Sequence, residues 1–332
     1  MSANKISAIL AVYNCEHTIE VVLKGLCDSG IDDLEIIVVD DASRDNTCAV
    51  CRQYPVTLIE LPENQGPAYC RNLAISESTG SILLFLDSDI AFDPKMLPAM
   101  LEHLAENPDM AGIFTLTAPE PLNPCFSSRY FALQEYLRFM DVIDSGRKSW
   151  SFISTRCGLL KKSVFEETGG FNESFALPSY EDLEFSSRMD NQHQLLLSPN
   201  FVVQHYWPDS IRKILKRLHI NAKGVMGFSP AMRKKACEPF IKDRNARFLI
   251  CLSWVLAGAG VLWHPVWLAA GLIHILAIYE CRWFISGTIK HESPLFSIKA
   301  WLTYNVTVLP FVTGVSAGII EKSIALCKPV DT

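Results

Sequence analysis

An apolar run that ends in two carboxylates limits most strongly what this chain can fold into. Residues 82–86 read Ile-Leu-Leu-Phe-Leu and are followed at once by Asp87-Ser88-Asp89. A run of strand length without polar alternation is typical of a strand buried on both faces, as in a parallel α/β sheet. Side chains two residues apart in an extended segment point the same way, so Asp87 and Asp89 can share one target. Paired carboxylates at the carboxyl end of such a strand suit Mg²⁺ or Mn²⁺, although a solvated turn also fits.

The neighbouring segments favour a ligand site over a simple turn. Strand-like runs alternate with helical spacing from residue 5 to about 120, which predicts βαβ units and a mainly parallel sheet. The predicted strands are Ile6–Val12, Leu34–Val39, Val56–Leu61, Ile82–Leu86 and Met110–Thr117, and the predicted helices are His17–Leu26, Asn46–Gln53, Pro67–Ser76 and residues 93–107. Further along, we predict helices at Ser128–Met140 and Glu181–Asn191 and strands at Phe152–Gly158 and Phe201–Gln204.

Polar residues follow the first strands at one edge of the predicted sheet. Tyr13 comes just after the first strand, Asp40 and Asp41 end the second, and Arg71 follows the loop after the third. A carboxylate at Asp41 can accept a hydrogen bond from a base or a ribose, and Arg71 can bind a phosphate or brace the loops. The Gly-x-Gly-x-x-Gly fingerprint is absent, which disfavours a nicotinamide or flavin site.

A second acidic pair, Glu181-Asp182, opens the predicted helix at 181–191. Carboxylates at a helix N-terminus are commonly caps, so this pair by itself marks either a helix start or a catalytic group. His205 follows the strand Phe201–Gln204 and by itself fits an ordinary surface histidine.

Taken together, these segments resemble the family 2 glycosyltransferases, which have the GT-A fold. The resemblance covers about residues 5–207 and rests on AVYN, VVDDASRDNT, ENQGPAYCRN, FLDSDI, GGFNES and YEDLEFSSR. It implies inverting transfer of a sugar from a UDP- or GDP-linked donor, with Mn²⁺ or Mg²⁺ as the cofactor and no nucleic-acid partner. The Q-x-x-R-W motif of processive synthases is missing, because Gln204-His205-Tyr206-Trp207 lacks the Arg. Transfer of a single sugar is therefore expected.

The resemblance also implies roles for individual residues. Asp182 would be the catalytic base, and Asp89 would bind the metal together with Asp87 and His205. The nucleotide sugar would be bound by Ala11, Tyr13, Asp40, Asp41, Arg71, Asp87 and Ser88. The chain departs from the family pattern where Ala11 replaces a Pro, Ala42 replaces a Gly and Tyr180 replaces a frequent Gly. None of these departures removes a charged group, although they put in doubt which nucleobase the donor carries.

The C-terminal third has a different composition. Between Arg212 and Arg247 there are eleven Lys or Arg and two acidic residues, whereas the whole chain has a net charge of −6. The apolar spacing within 211–218 is typical of a basic amphipathic helix at a membrane interface, although packing in a core also fits. Uncharged stretches follow at Phe248–Trp263, Val266–Tyr279 and Trp301–Ile320, the last with Gly314 and Gly318 spaced for close helix contact.

These patterns predict a membrane-associated protein with two or three membrane helices. The expected division is a catalytic domain at 1–207, a basic juxtamembrane segment at 208–247, membrane helices at 248–323 and a tail at 324–332. Because the basic segment precedes the apolar helices, we expect the catalytic domain on the cytoplasmic side of the inner membrane. The N-terminus runs directly into a strand, so no signal peptide is predicted, and eleven scattered cysteines favour a reducing compartment.

The leading hypothesis is a metal-dependent glycosyltransferase with a lipid or lipid-linked acceptor. An enzyme that makes a polyprenyl-phosphate sugar is the alternative within the same class. A sugar-phosphate nucleotidyltransferase would need a Gly-rich basic first loop, which Tyr13-Asn14-Cys15-Glu16 is not. A non-catalytic nucleotide-binding scaffold is disfavoured because Asp41, Asp89 and Asp182 are all present.

Overall fold

The computed structural model of the chain describes residues 5–144, 152–174, 181–189, 192–228, 241–260 and 266–327. The chain divides into two compact units, each built from two separate stretches. The sheet unit comprises Met1–Leu122 and Arg147–Tyr206, and the helical unit comprises Asn123–Gly146 and Trp207–Thr332. Tyr180, which replaces a frequent Gly in the family pattern, lies outside the described residues.

Among the described residues, eight strands form one sheet, in the order β3-β2-β1-β4-β7-β6-β8-β5. β7 runs antiparallel to its neighbours β4 and β6, and β5 runs antiparallel to β8, whereas the other pairs are parallel. The strands are β1 Ile6–Val12, β2 Leu34–Asp40, β3 Thr57–Glu60, β4 Ile82–Leu86, β5 Ile90–Ala91, β6 Met110–Thr117, β7 Cys157–Lys161 and β8 Gln194–His205. The predicted mainly parallel α/β sheet is confirmed, and its parallel strands end at one edge.

The strand predicted at Phe152–Gly158 is wrong in position, because β7 begins only at Cys157. The backbone before it bonds elsewhere. The Ile153 N–H donates to the Ser186 hydroxyl at 2.9 Å, and the Arg156 carbonyl accepts from the Asp87 N–H at 2.9 Å. These residues therefore connect the sheet to a helix instead of extending a strand.

The sheet unit carries six helices among its described residues. They are α1 Ile19–Cys27, α2 Thr47–Cys51, α3 Pro67–Ser76, α4 Met96–Glu106, α6 Lys162–Thr168 and α7 Glu181–Arg188. An aromatic cluster attaches α7 to the central strand: the Phe171 ring packs against Phe85 of β4 at 5.8 Å and against Phe185 of α7 at 5.1 Å between centroids. Phe165 of α6 stacks on Phe185 at 5.2 Å. This cluster fixes the start of α7 relative to the end of β4.

The helical unit contains α5 Phe126–Asp144, α8 Ile211–Gly227, α9 Ile241–Ala259, α10 Val266–Glu280, α11 Arg282–His291, α12 Pro294–Val306 and α13 Val308–Cys327. Its core joins the aromatic face of α5, with Tyr130 and Phe131, to Phe284 of α11 and Tyr304 of α12. The predicted catalytic domain at 1–207 included α5, whereas the structure groups α5 with the C-terminal helices because its aromatic side chains pack there.

A buried ion pair lies at the centre of the helical unit. The Arg247 guanidinium donates to Asp243 at 3.0 Å and to the Thr307 hydroxyl at 2.9 Å, and it lies 4.7 Å from the Tyr304 ring centroid. The Tyr304 hydroxyl donates to Asp243 at 2.7 Å. Arg247, the last residue of the predicted basic juxtamembrane segment, is therefore a core residue and does not face lipid headgroups.

The predicted helix at Trp301–Ile320 is divided between α12 and α13, which meet at Thr307. By length and composition alone, one stretch among the described residues, Pro294–Ile320, could cross a membrane. α10 and α11 pass the same test only if they are counted as one span bent by 58°. This is a weak indication of membrane association.

Two glycines of α13 allow α8 to approach closely. A Cβ on Gly314 would overlap the His219 carbonyl oxygen, and a Cβ on Gly318 would lie 2.6 Å from the Met226 Cβ. The amphipathic helix predicted at 211–218 is therefore the first part of α8, and its packing partner is the Gly-x-x-x-Gly face of α13.

Replacing these two glycines should destabilise the protein. The double variant Gly314→Ala, Gly318→Ala must push α8 away from α13, and overpacking of this kind costs about 1–3 kcal/mol. The matched control is Gly258→Ala, Gly271→Ala, where an added Cβ meets nothing within 4 Å. Thermal unfolding should show a lower Tm for the first pair and an unchanged or higher Tm for the control, because alanine favours helices. Equal Tm values for the two double variants would contradict the close packing.

Candidate active site

A single arginine joins the two acidic motifs. Arg71 lies on α3 and is 5% exposed. Its Nη1 donates to Glu181 at 2.6 Å, and its Nη2 donates to Asp87 at 3.0 Å. The guanidinium therefore holds the end of β4 next to the start of α7, which are far apart in the sequence.

Asp87, Asp89 and His205 form a group in which one ligand atom from each residue lies within 4.8 Å of the others. The two aspartates follow β4, and His205 ends β8. The His205 Nε2 lies 3.3 Å from an Asp89 carboxylate oxygen, and its Nδ1 faces the Tyr206 carbonyl oxygen. With Nδ1–H donating to that carbonyl, Nε2 keeps a lone pair directed at the carboxylate, as in a metal-binding histidine.

The two aspartates that end β2 are buried and hold loops. The Asp41 carboxylate accepts from the Gln65 N–H at 2.6 Å and from the Gly66 N–H at 3.0 Å, so it fixes the loop before α3. Asp40 accepts from the Ser43 N–H at 2.9 Å. Contact of Asp40 and Asp41 with the nucleoside stays a prediction, and their bonds here show that both also shape the loops around that position.

The remaining predicted donor residues lie at the same edge. Ala11 is half-buried near the end of β1, Tyr13 beyond it is 49% exposed, and Ser88 after β4 is half-buried. Ala42 has a φ of 61°, a left-handed conformation in which glycine is usual, so the departure from the family pattern is accommodated with strain.

Asn72, next to Arg71, holds the loop that precedes α7. Its amide nitrogen donates to the Phe171 carbonyl at 2.8 Å, and its amide oxygen accepts from the Phe171 N–H at 2.9 Å. Gly169 and Gly170 have φ values of 89° and 73°, which lets the chain turn tightly before Phe171. The GGFNES segment is thus a turn that Asn72 holds against α3 through two hydrogen bonds.

Asp182 lies in the first turn of α7, half-buried, with one oxygen accepting from the Leu183 N–H at 2.8 Å. Burial and then the charge of Glu181 raise the pKa of Asp182 to about 7. A carboxyl group with such a pKa changes protonation state near neutral pH, which suits a general base.

The comparisons with known proteins agree with this geometry. Residues 7–169 match the sequence model of the family described as glycosyl transferase family 2. This part of the chain is a family 2 glycosyltransferase domain. The match confirms the predicted family membership for these residues, and the fold is of the GT-A type.

Two sequence relatives and one solved structure illustrate the similarity. An uncharacterized glycosyltransferase of Haemophilus influenzae is 29% identical over 59% of this chain and 63% of its own length. The poly-beta-1,6-N-acetyl-D-glucosamine synthase of Staphylococcus epidermidis is 25% identical over 71% of this chain and 59% of its own length. The chain thus spans less than two thirds of either relative. The mannosyltransferase PcManGT of Pyrobaculum calidifontis, solved with GDP-Man and Mn²⁺, is 18% identical with a TM-score of 0.58, and the alignment covers 97% of this chain and 89% of that chain.

Sequence reasoning missed two residues of this glycosyltransferase site. In the sequence, Glu181 stands out only as part of an acidic pair and Asn72 only as the last residue of the ENQGPAYCRN motif. Two adjacent carboxylates at a buried helix start require a cation nearby, and that requirement is the signal that could have linked Glu181 to Arg71.

The pH dependence of the glycosyltransferase should report Asp182. A base must be ionised to accept a proton, so kcat/KM should rise with pH and level off above about 7. The variant Asp182→Asn should lower kcat by about 10²–10⁴-fold and lose this rise. Glu166→Gln, on the exposed face of α6, should leave the profile unchanged. A wild-type profile retained by Asp182→Asn would exclude Asp182 as the base.

Folding stability gives a readout of the same group without substrate. Since the pKa of Asp182 is raised above its ordinary value of 3.8, the folded state holds its proton longer than the unfolded state. The free energy of unfolding of the wild type, relative to that of Asp182→Asn, should therefore fall as the pH rises from 3.8 to about 7.

The charge of Glu181 should raise the pH at which Asp182 loses its proton. Glu181→Gln removes the negative charge that raises the pKa of Asp182 and leaves Arg71 less neutralised, so the rise in kcat/KM should move to lower pH. Glu184→Gln is the matched control, since Glu184 lies on the same helix but pairs with Arg188 at 2.8 Å. Equal shifts in the two variants would mean that the effect is not specific to the Arg71–Glu181 pair.

Proposed function

We propose that this chain transfers one sugar from a nucleotide-diphosphate sugar to an acceptor held in a membrane, with inversion at the anomeric carbon. The observation that carries the proposal is the group of Asp87, Asp89 and His205 within 4.8 Å, which Arg71 joins to Glu181, the residue next to Asp182. The proposed division of the chain is a catalytic domain at 1–207, a basic juxtamembrane segment at 208–247, membrane helices at 248–323 and a tail at 324–332.

The residues present fit a divalent cation such as Mn²⁺ or Mg²⁺. Two carboxylates and one imidazole nitrogen are suitable ligands, and the His205 Nε2 lies 3.3 Å from an Asp89 carboxylate oxygen, close enough for one cation to bind both. The ligands would be Asp87, Asp89 and His205. A bound cation would supply Lewis-acid stabilisation of the charge on the diphosphate leaving group.

The protein's own groups would do the rest. Tyr13 and the loops held by Asp40 and Asp41 would form the wall of the nucleoside site, and Asp87 with Ser88 would contact the ribose. Asp182 would accept the proton of an acceptor hydroxyl. Arg71 would keep Asp182 at a fixed distance from the end of β4, where the nucleotide sugar would bind. Both UDP- and GDP-linked donors are compatible with this site, and GDP-Man bound to the similar mannosyltransferase supports the second.

Exposed apolar side chains of the helical unit support a membrane-bound acceptor. Apart from Tyr13 and Val21, every exposed large apolar side chain of the described residues lies between Phe248 and Ile320. On α10, for example, Leu268, Leu272 and Ile275 are 76%, 65% and 62% exposed. Such a surface is unfavourable in water and is typical of contact with lipid. We propose attachment to the cytoplasmic face of the inner membrane and a lipid or lipid-linked acceptor.

A panel of nucleotide sugars with added membranes tests the function. Wild type should release free UDP or GDP from one donor, only with Mn²⁺ or Mg²⁺ present. Asp89→Ala should lower turnover by about 10³-fold or more, since the cation's contribution is several kcal/mol.

Asp93→Ala is the control for this experiment, because Asp93 follows in the same segment but lies outside the three-residue group. Full turnover by Asp89→Ala in excess EDTA would contradict the metal site. Absence of nucleotide release from every donor by wild type would contradict sugar transfer.

A further inference from the structure

Apart from the bent pair α10 and α11, Pro294–Ile320 is the one described stretch that could cross a membrane by length and composition. Charged side chains nevertheless lie beside it. Near its middle lies Thr307, where α12 ends and α13 is about to begin. The Arg247 side chain donates to the Thr307 hydroxyl at 2.9 Å and pairs with Asp243. A buried ion pair therefore lies at the depth where a spanning helix would meet the centre of the hydrocarbon.

The packing of α8 on α13 adds further charge at that depth. Gly314 faces His219 and Gly318 faces Met226, so the two helices run in the same direction. The His219 ring nitrogen lies 2.9 Å from the Thr313 hydroxyl, in agreement with this register. Continued toward the N-termini, the register brings Lys216 and Arg212 back toward Thr307.

A spanning α13 would therefore carry α8 into the bilayer beside it. Arg212, Lys213, Lys216 and Arg217 are exposed, and Lys or Arg at the centre of a bilayer is strongly unfavourable. The same cations are favourable at the surface of an anionic leaflet. On α13 itself, Leu309, Ile319 and Ile320 are exposed and can enter the acyl boundary of such a leaflet.

We propose that α8 and α13 form one interfacial element that lies in the plane of an anionic leaflet, so that α13 does not cross the bilayer. The glycine contacts join the two helices, α8 supplies the cationic face, and α13 supplies apolar side chains. The inference rests on the membrane attachment proposed above but is separate from sugar transfer.

The first test measures partition of the full-length protein onto vesicles of phosphatidylcholine, with and without 30% phosphatidylglycerol. The double variant Arg212→Gln, Lys216→Gln removes two exposed charges and should weaken partition onto the anionic vesicles by about 30-fold. The matched control Lys24→Gln, Lys95→Gln makes the same change in net charge on the sheet unit and should bind as wild type does. Equal loss in both variants would overturn the role of α8.

The second test places reporters of membrane sidedness at the two chain ends in cells. Both reporters should lie on the same side. A C-terminal reporter on the far side would overturn the in-plane arrangement while leaving membrane attachment in place. Wild type that binds neither kind of vesicle would overturn the inference and the attachment together, and a stable oligomer in that case would identify a second copy as the partner of the apolar surface. Nucleotide release, measured in parallel, separates each of these outcomes from failure of the proposed transferase.

Discussion

The Arg71 guanidinium is the interaction on which the rest of the site depends. It is buried, and it bonds Glu181 on one side and Asp87 on the other. A buried arginine is stable only when its charge is matched, and loss of one partner of such a pair costs about 3–5 kcal/mol. The acidic ends of β4 and α7 cannot separate without leaving that charge uncompensated. The spacing between the donor end of the site and Asp182 is therefore set by an ion pair and not by loop length.

Aromatic packing around Arg71 also holds the end of β4 next to the start of α7. The Phe171 ring fills the space between Phe85 of β4 and Phe185 of α7, and Asn72 fixes the backbone of Phe171 from the adjacent helix. Aromatic packing provides the stability here, and the hydrogen bonds provide the register. Asp182 lies in this partly buried position beside Glu181, and burial and then that neighbouring charge raise its pKa.

Local sequence patterns predicted the part of the fold that local forces determine. The strands Ile6–Val12 and Ile82–Leu86 and the helix Pro67–Ser76 were predicted with their observed bounds, because apolar runs and a proline at a helix start are local signals. The antiparallel insertion of β7 and the bond between Arg71 and Glu181 depend on residues far apart in the chain. The count of basic residues also placed Arg247 wrongly in a lipid-facing segment, because a sequence does not distinguish a surface cation from one paired in a core.

The membership of α5 in the helical unit has a consequence for how the protein is made. During synthesis α5 emerges before β7 and β8, which complete the sheet, and long before α11 and α12, whose Phe284 and Phe296 pack against Tyr130 and Phe126. Its aromatic face therefore stays without its native cover while the intervening segments are translated. Since both units are discontinuous, neither can finish folding as an independent N-terminal piece. The order of translation makes the C-terminal helices the last step in completing a core that begins at residue 126.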